Sequence, residues 1–194
     1  TDANQIKLMI DDLVLQYGGI DILISNAGSA PQVALLELDE DTLRQSFEIN
    51  FFTHFHLAQE IGRLFVRHKI KGQMLFNISK QAINPGRDFG AYGLPKATLM
   101  FLVKQLALEL GENGVRVNGV NADRIRSGIL NEELLNTRAK ARGVSVDNYM
   151  KGNLLQQEVE AHHVARAFLS LALNSRTTGH VMTVDGGNIE ASLR

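Results

Sequence analysis

The sequence predicts an α/β fold, a parallel sheet covered by helices on both faces. The order of patterns is the first reason. Helical-period apolar stripes alternate with short apolar runs, giving one helix, three strand-helix units and a last strand. The second is Ile20 to Ile24, a short run rich in β-branched residues that reads as a buried parallel strand. The third is length, since 194 residues fit one domain with a sizeable core.

Each element has its own signal. Ile6, Met9, Ile10, Leu13 and Val14 recur at helical spacing, and Gly18-Gly19 ends that helix. Asn26-Ala27-Gly28 closes the first strand. Asp39 or Asp41 caps the next helix, whose stripe Leu43, Phe47, Asn50, His54, Leu57, Ile61 and Leu64 runs to about Phe65. Asn50 is the polar residue in that stripe, and a buried amide needs hydrogen-bond partners. Gln73 to Ile78 is the second strand. A helix follows through Tyr92, Lys96, Phe101 and Leu110, and Gly111 to Gly114 stops it. Pro95 suits only a first helical turn, so this helix either starts near Tyr92 or bends there. Gly114 to Val120 is the third strand. Residues 129–160 are polar, mixed and partly helical, and the basic run Arg138-Ala139-Lys140-Ala141-Arg142 reads as a solvated helix face. His162 to Leu173 forms an amphipathic helix, and His180 to Val184 the last strand.

Composition excludes several classes. Charged residues are 21% and the net charge is −1, so no basic face suggests nucleic acid. Cysteine is absent, which removes disulfides and thiolate chemistry. No apolar run reaches the ~18 residues that span a membrane, and no signal peptide opens the chain. A cytoplasmic location is expected. His54 and His56 make no metal-binding spacing, so no metal is expected.

The chemistry-bearing stretch is Phe76 to Lys96, FNISKQAINPGRDFGAYGLPK. On a helix, Tyr92 and Lys96 project from one face. A phenol near pKa ~10 is a poor proton carrier at neutral pH. An ammonium one turn away favours the phenolate and is expected to lower that pKa, so Tyr92 is a candidate general acid/base.

Ser25-Asn26-Ala27-Gly28, the helical Asn50, Tyr92-x-x-x-Lys96, Arg116-Val117-Asn118 and the late Asp185-Gly186-Gly187 occur in that order. Together they resemble the short-chain dehydrogenase/reductase family from about residue 3 to the C-terminus. The resemblance implies a truncated Rossmann-like doubly wound parallel sheet, its last four strands with flanking helices, as one incomplete domain over residues 1–194. It implies Tyr92, Lys96, Ser79 and Asn50 as catalytic residues, with Asn50 helping to hold a relay water. It places Asn26, Ala27, Gly28, Tyr92, Lys96 and Ile125 against the cofactor, NAD or NADP with NAD preferred. Residues near 128–160 resemble a mobile substrate loop. Helices 41–66 and 91–111 resemble the elements that build a homodimer or tetramer.

The family's Thr-Gly-x-x-x-Gly-x-Gly turn, which lets backbone approach the pyrophosphate, is absent from these residues. The chain therefore resembles the C-terminal two-thirds of such a domain, and its first strand is expected to carry an open edge. The catalytic Ser has two alignments. The residue thirteen before Tyr92 is Ser79, whereas the usual strand ending Asn-Ile-Ser-Ser places Lys80 there. Ala122-Asp123 stands where the family commonly has Pro-Gly. Arg124 and Arg126 add cations that either clamp an anionic group or pair with Asp123 or a neighbouring domain.

KQAINPGRDFGAYGLPKAT, VNADRIRSGIL and MTVDGGNIEASLR resemble the dehydrogenase half of bacterial bifunctional aldolase/short-chain dehydrogenase proteins. That implies a small-molecule substrate such as lactaldehyde, released by an N-terminal rhamnulose-phosphate aldolase domain. The alternative is a catalytically inert fragment or a dimerisation module.

Overall fold

The computed structural model describes residues 1–188, so residues 189–194 at the end of the MTVDGGNIEASLR run lie outside it. Helix α1 covers Ala3–Tyr17, capped by Asp2 and ended by Gly18 at φ 83°. Strand β1, Ile22–Ser25, follows. Helix α2, Glu40–Phe47, is capped by Asp39, whose carboxylate accepts from the Thr42 N–H at 2.7 Å. This decides between the two candidate caps. The helix continues through a π-helical turn, Glu48–Phe52, into α3, Thr53–His68. Strand β2 is Gln73–Asn77, α4 is Gly90–Leu110 and β3 is Arg116–Ala122. Then come α5, Glu132–Ala141, α6, Val146–Met150, α7, Ala161–Leu173, and β4, Val181–Val184.

The four strands pair in sequence order and all are parallel. Strand β2 is buried on both faces, and its side chains alternate between two cores. Met74 and Phe76 pack with Ile10, Ile61, Phe65, Leu99 and Val103, which places α1, α3 and α4 on one face. Leu75 packs the other way, with Val120 and with Val164, Ala167 and Leu171 of α7. Arg116 ties α7 to the sheet. Its guanidinium donates to the Leu171, Ala172 and Asn174 carbonyls, where a cation also complements the helix C-terminus.

Strand β1 lies at an edge of the described sheet, with Ile22 and Ile24 about half exposed, as the open-edge expectation requires. Asn26, Asn77 and Asp123 leave the C-terminal ends of β1, β2 and β3 on one side of the sheet. In open α/β sheets that side forms the ligand crevice.

Candidate active site

Tyr92 and Lys96 lie on one face of α4, both buried, with Lys96 Nζ 5.8 Å from the phenol ring centroid. Pro95 lies between them in the second turn of a helix that starts at Gly90, near Tyr92. Proline removes the N–H that would reach the carbonyl four residues back, that of Ala91. The buried hydroxyl of Ser46 donates to that carbonyl at 2.7 Å. Ser46 thus replaces the missing helical bond. Its oxygen also accepts from Asn50 Nδ2 at 3.0 Å.

Asn50 is fully buried in the π-helical turn. Its Nδ2 also donates to the Ser29 carbonyl at 2.9 Å, and its Oδ1 accepts the Ser29 N–H at 3.1 Å. Its side chain therefore clamps the loop after β1 to the helix layer. With both amide hydrogens engaged, a relay water is left the second lone pair of Oδ1 or the backbone carbonyl.

Ser79 ends β2's extension and is buried. It lines the same cavity as Tyr92. Lys80 turns away, its Nζ 3.1 Å from Asp123 Oδ2. Of the two alignments, the geometry brings Ser79 to the phenol.

Burial sets the ionisations. It pushes the Tyr92 phenol above its ordinary value, while Ser79 nearby pulls it down. The expected lowering by Lys96 is not found. The ammonium donates to the Asn77 carbonyl at 2.9 Å, and burial itself pushes Lys96 down to about 8. His54 is buried with Nδ1 2.6 Å from Ser25 Oγ. Burial, then the charge of Lys96, push it down to about 4, while the nearby Ala27 backbone acts the other way.

Two cavities meet here. A groove of about 1460 Å³ is lined by Asn26, Ala27, Gly28 and Ile125, four of the six residues expected to touch a cofactor. A smaller cavity of about 330 Å³ is lined by Ser79, Tyr92 and residues of α5 and α6. Asn77, Ile125 and Ser127 line both. Lys96 lines neither cavity, but Gly28 brings the groove wall close to it. A Cβ built there would come to 3.0 Å from Asn50 Oδ1 and 3.8 Å from Lys96 Nζ. The buried Oδ1 of Asn77 has no partner, and its Nδ2 donates to Asn26 at 2.7 Å. A close backbone approach and an unpaired acceptor suit a nicotinamide riboside, so the residues present fit that half of a dinucleotide. Among the described residues no group of three or more His, Cys, Asp and Glu side chains is arranged to hold a metal.

Arg126 lines the groove, but its charge is already engaged. It is exposed and bridges Glu132 and Glu158. Arg124, at φ 46°, pairs with Asp123 at 3.3 Å and donates to the Tyr149 carbonyl at 2.5 Å. The basic run departs from the solvated face expected of it. Arg138 is partly buried and lies 4.1 Å over the Phe89 ring, and both Arg138 and Arg142 line the smaller cavity. Sequence reasoning passed over Ser46 and Arg138, because neither has a local signal for the loops that fold against it.

Residues 1–188 match the family model described as Enoyl-(Acyl carrier protein) reductase. (+)-Borneol dehydrogenase 1 of Salvia officinalis is 32% identical over 96% of this chain and 72% of its own length. The chain belongs to the short-chain dehydrogenase/reductase family. L-2,3-butanediol dehydrogenase of Corynebacterium glutamicum, another similar protein, is 30% identical over 96% of the chain and 74% of its own. The uncharacterized oxidoreductase YuxG of Bacillus subtilis is 31% identical over 96% of this chain but only 28% of itself. A short-chain type dehydrogenase/reductase from Mycobacterium marinum superposes with TM-score 0.86 at 26% identity, covering 96% of this chain and 72% of that one. The same fold appears in 4-hydroxyisoleucine dehydrogenase complexed with NADH, with TM-score 0.81 at 24% identity, over 96% and 71%. This short-chain dehydrogenase/reductase chain is therefore an oxidoreductase with the family's parallel sheet. Among its described residues no helix is long and apolar enough to cross a membrane.

Proposed function

We propose that the site interconverts a small alcohol and its carbonyl compound with NAD or NADP, and that Tyr92 handles the proton. Oxidation removes a hydride from the carbinol carbon and a proton from its oxygen, and reduction returns both. The nicotinamide, when bound, takes or gives the hydride. Ser79 orients the substrate oxygen toward the phenol. Tyr92 exchanges the proton with it, and Lys96 supplies the cation that favours the phenolate once a ribose shares the pocket. Asn50 holds the loop carrying Gly28 and keeps the proton path in register. Asn26, Ala27, Gly28 and Ile125 line the groove that receives the cofactor.

The observation that carries this reading is that Ser79 and Tyr92 line one cavity, which shares Asn77, Ile125 and Ser127 with the groove. Relatives named as dehydrogenases of borneol and 2,3-butanediol support a secondary alcohol. Lactaldehyde, made by an aldolase on the same polypeptide, is the substrate the residue runs imply, and YuxG has room for such a domain. A cytoplasmic location and a homo-oligomer joined through α3 and α4 complete the reading.

The test is Tyr92→Phe in the full-length protein, assayed with NAD and NADP on 2,3-butanediol and lactaldehyde. Turnover is expected to fall by about 10²–10⁴-fold, with an unchanged thermal midpoint. Near-normal turnover in that variant sinks the assignment.

A further inference from the structure

The cavity beside Ser79 and Tyr92 has a cationic outer wall that proton transfer does not use. Lys80, Arg124, Arg138 and Arg142 all line it. The first two share one carboxylate, since Asp123 Oδ2 lies 3.1 Å from Lys80 and 3.3 Å from Arg124. Asn188 Nδ2 reaches the same oxygen at 2.5 Å. One carboxylate holds both cations in place, and the trio keeps one positive charge in excess.

Arg138 and Arg142 are placed differently. Neither has a carboxylate within ion-pair distance among the described residues. Arg138 lies over Phe89, whose ring centroid is 6.3 Å from that of Tyr92. Arg142 lies 5.1 Å over the buried ring of Tyr149. The Nε of Arg138 is buried without a partner, while its Nη1 reaches the Arg87 carbonyl at 3.4 Å. Burial pushes this guanidinium below the usual arginine range. Arg142 pushes the same way, and Tyr149 and the charge of Asp88 act against them. A guanidinium stays protonated under such conditions. A buried donor without an acceptor costs free energy, and two adjacent cations add repulsion. Oxygen acceptors bearing negative charge, set against the cavity-facing ends of the two guanidiniums, relieve that repulsion.

We propose that Arg138 and Arg142 form the anion-binding end of the substrate cavity, so that the alcohol or carbonyl compound carries a carboxylate or phosphate. The proposal rests on the oxidoreductase reading above and adds the substrate's charge to it. One end of the substrate meets the arginine fork, and the reacting carbon sits at Ser79 and Tyr92. Lactaldehyde has no such group, so this cavity ranks it below its acidic and phosphorylated counterparts.

Three-carbon alcohols that differ in one substituent test the idea: propane-1,2-diol, lactate and glycerol 3-phosphate. Each is oxidised by the full-length protein with saturating NAD or NADP. At least one anion is expected to exceed the diol in kcat/KM by about tenfold or more, the scale of one charge-assisted hydrogen bond. The better of the two anions tells carboxylate from phosphate. Arg138→Gln and the exposed Arg142→Gln are each expected to reduce the anion-to-diol ratio about fivefold or more, through KM, with partial rescue by Arg138→Lys. Circular dichroism establishes that the variants fold. A diol preferred over both anions, or a ratio unmoved in both glutamine variants, overturns the proposal. Calorimetry with lactate and glycerol 3-phosphate separates the two claims. If none of the compounds turns over but an anion binds, and Arg138→Gln abolishes that binding, the anion subsite stands and the redox reading falls. Absence of binding in the wild-type protein overturns the subsite.

Discussion

At the scale of single residues, burial decides which groups of the site carry charge. His54 is fully buried, and its Nε2 has no hydrogen-bond partner. Its folded pKa, about 4, lies below the ordinary imidazole value of 6.5. Between those values the unfolded chain binds a proton that the folded chain refuses, so stability is lost as pH falls from 6.5 toward 4. The loss is on the order of 2–3 kcal/mol by pH ~4.5. Urea midpoints at neutral and acid pH are expected to show this fall in the wild type and a smaller one in His54→Gln. An equal fall in both removes His54 as the cause. Gly28 is constrained by shape. A methyl there presses on an Asn50 oxygen already fixed by Ser29, so Gly28→Ala is expected to cost roughly 1–3 kcal/mol in urea denaturation. An undisturbed midpoint means that the loop yields. Tyr92 and Lys96 were legible from sequence because their relation needs only a helix. The direction of the phenol's ionisation was not, since it depends on how much protein covers the ring.

At the scale of elements, α4 and the π-helical turn stabilise each other. Pro95 leaves the Ala91 carbonyl without its helical donor, and Ser46 from α2 supplies one. Ser46→Ala is therefore expected to cost about 1–3 kcal/mol, because it strands a buried acceptor and removes an acceptor from Asn50. Pro95→Ala restores an N–H at position 95. In the Ser46→Ala background it is expected to recover part of the loss, and a double-mutant cycle in urea reads that coupling. Strict additivity rejects the exchange. The sequence left open whether the helix starts at Tyr92 or bends at Pro95, because the deciding group comes from residue 46. Arg138 failed to announce itself for the same reason. Its run has the pattern of a solvated face, and only the docking of α5 beside Phe89 turns it inward. The strands were legible within one or two residues, since a run buried on both faces is apolar wherever it is paired.

At the scale of the whole molecule, one apolar surface has no partner among the described residues. Along α4, Leu94, Phe101 and Leu108 recur every seven residues and are 48%, 66% and 78% exposed. A heptad spacing keeps them on one stripe of a helix whose opposite side carries Leu99 and Val103 into the core. Beside it, Phe52 and Val66 at the two ends of α3 are 38% and 43% exposed. Exposed apolar surface of this extent, built on two packed helices, marks an association site. A second copy is the simplest occupant, because a two-fold axis lays each α3–α4 pair on its twin and closes the assembly. Phe101→Asp and Leu108→Glu place charges at the middle and end of the stripe, where both copies would bury them. Sedimentation velocity is expected to show a dimer or tetramer for the wild type and a lower mass for the double variant, with the same circular dichroism spectrum. A wild type that sediments as a monomer, or a variant of unchanged mass, removes this surface from the interface. The active site would feel the change, since α4 carries Tyr92 on its first turn and Leu94 beside it.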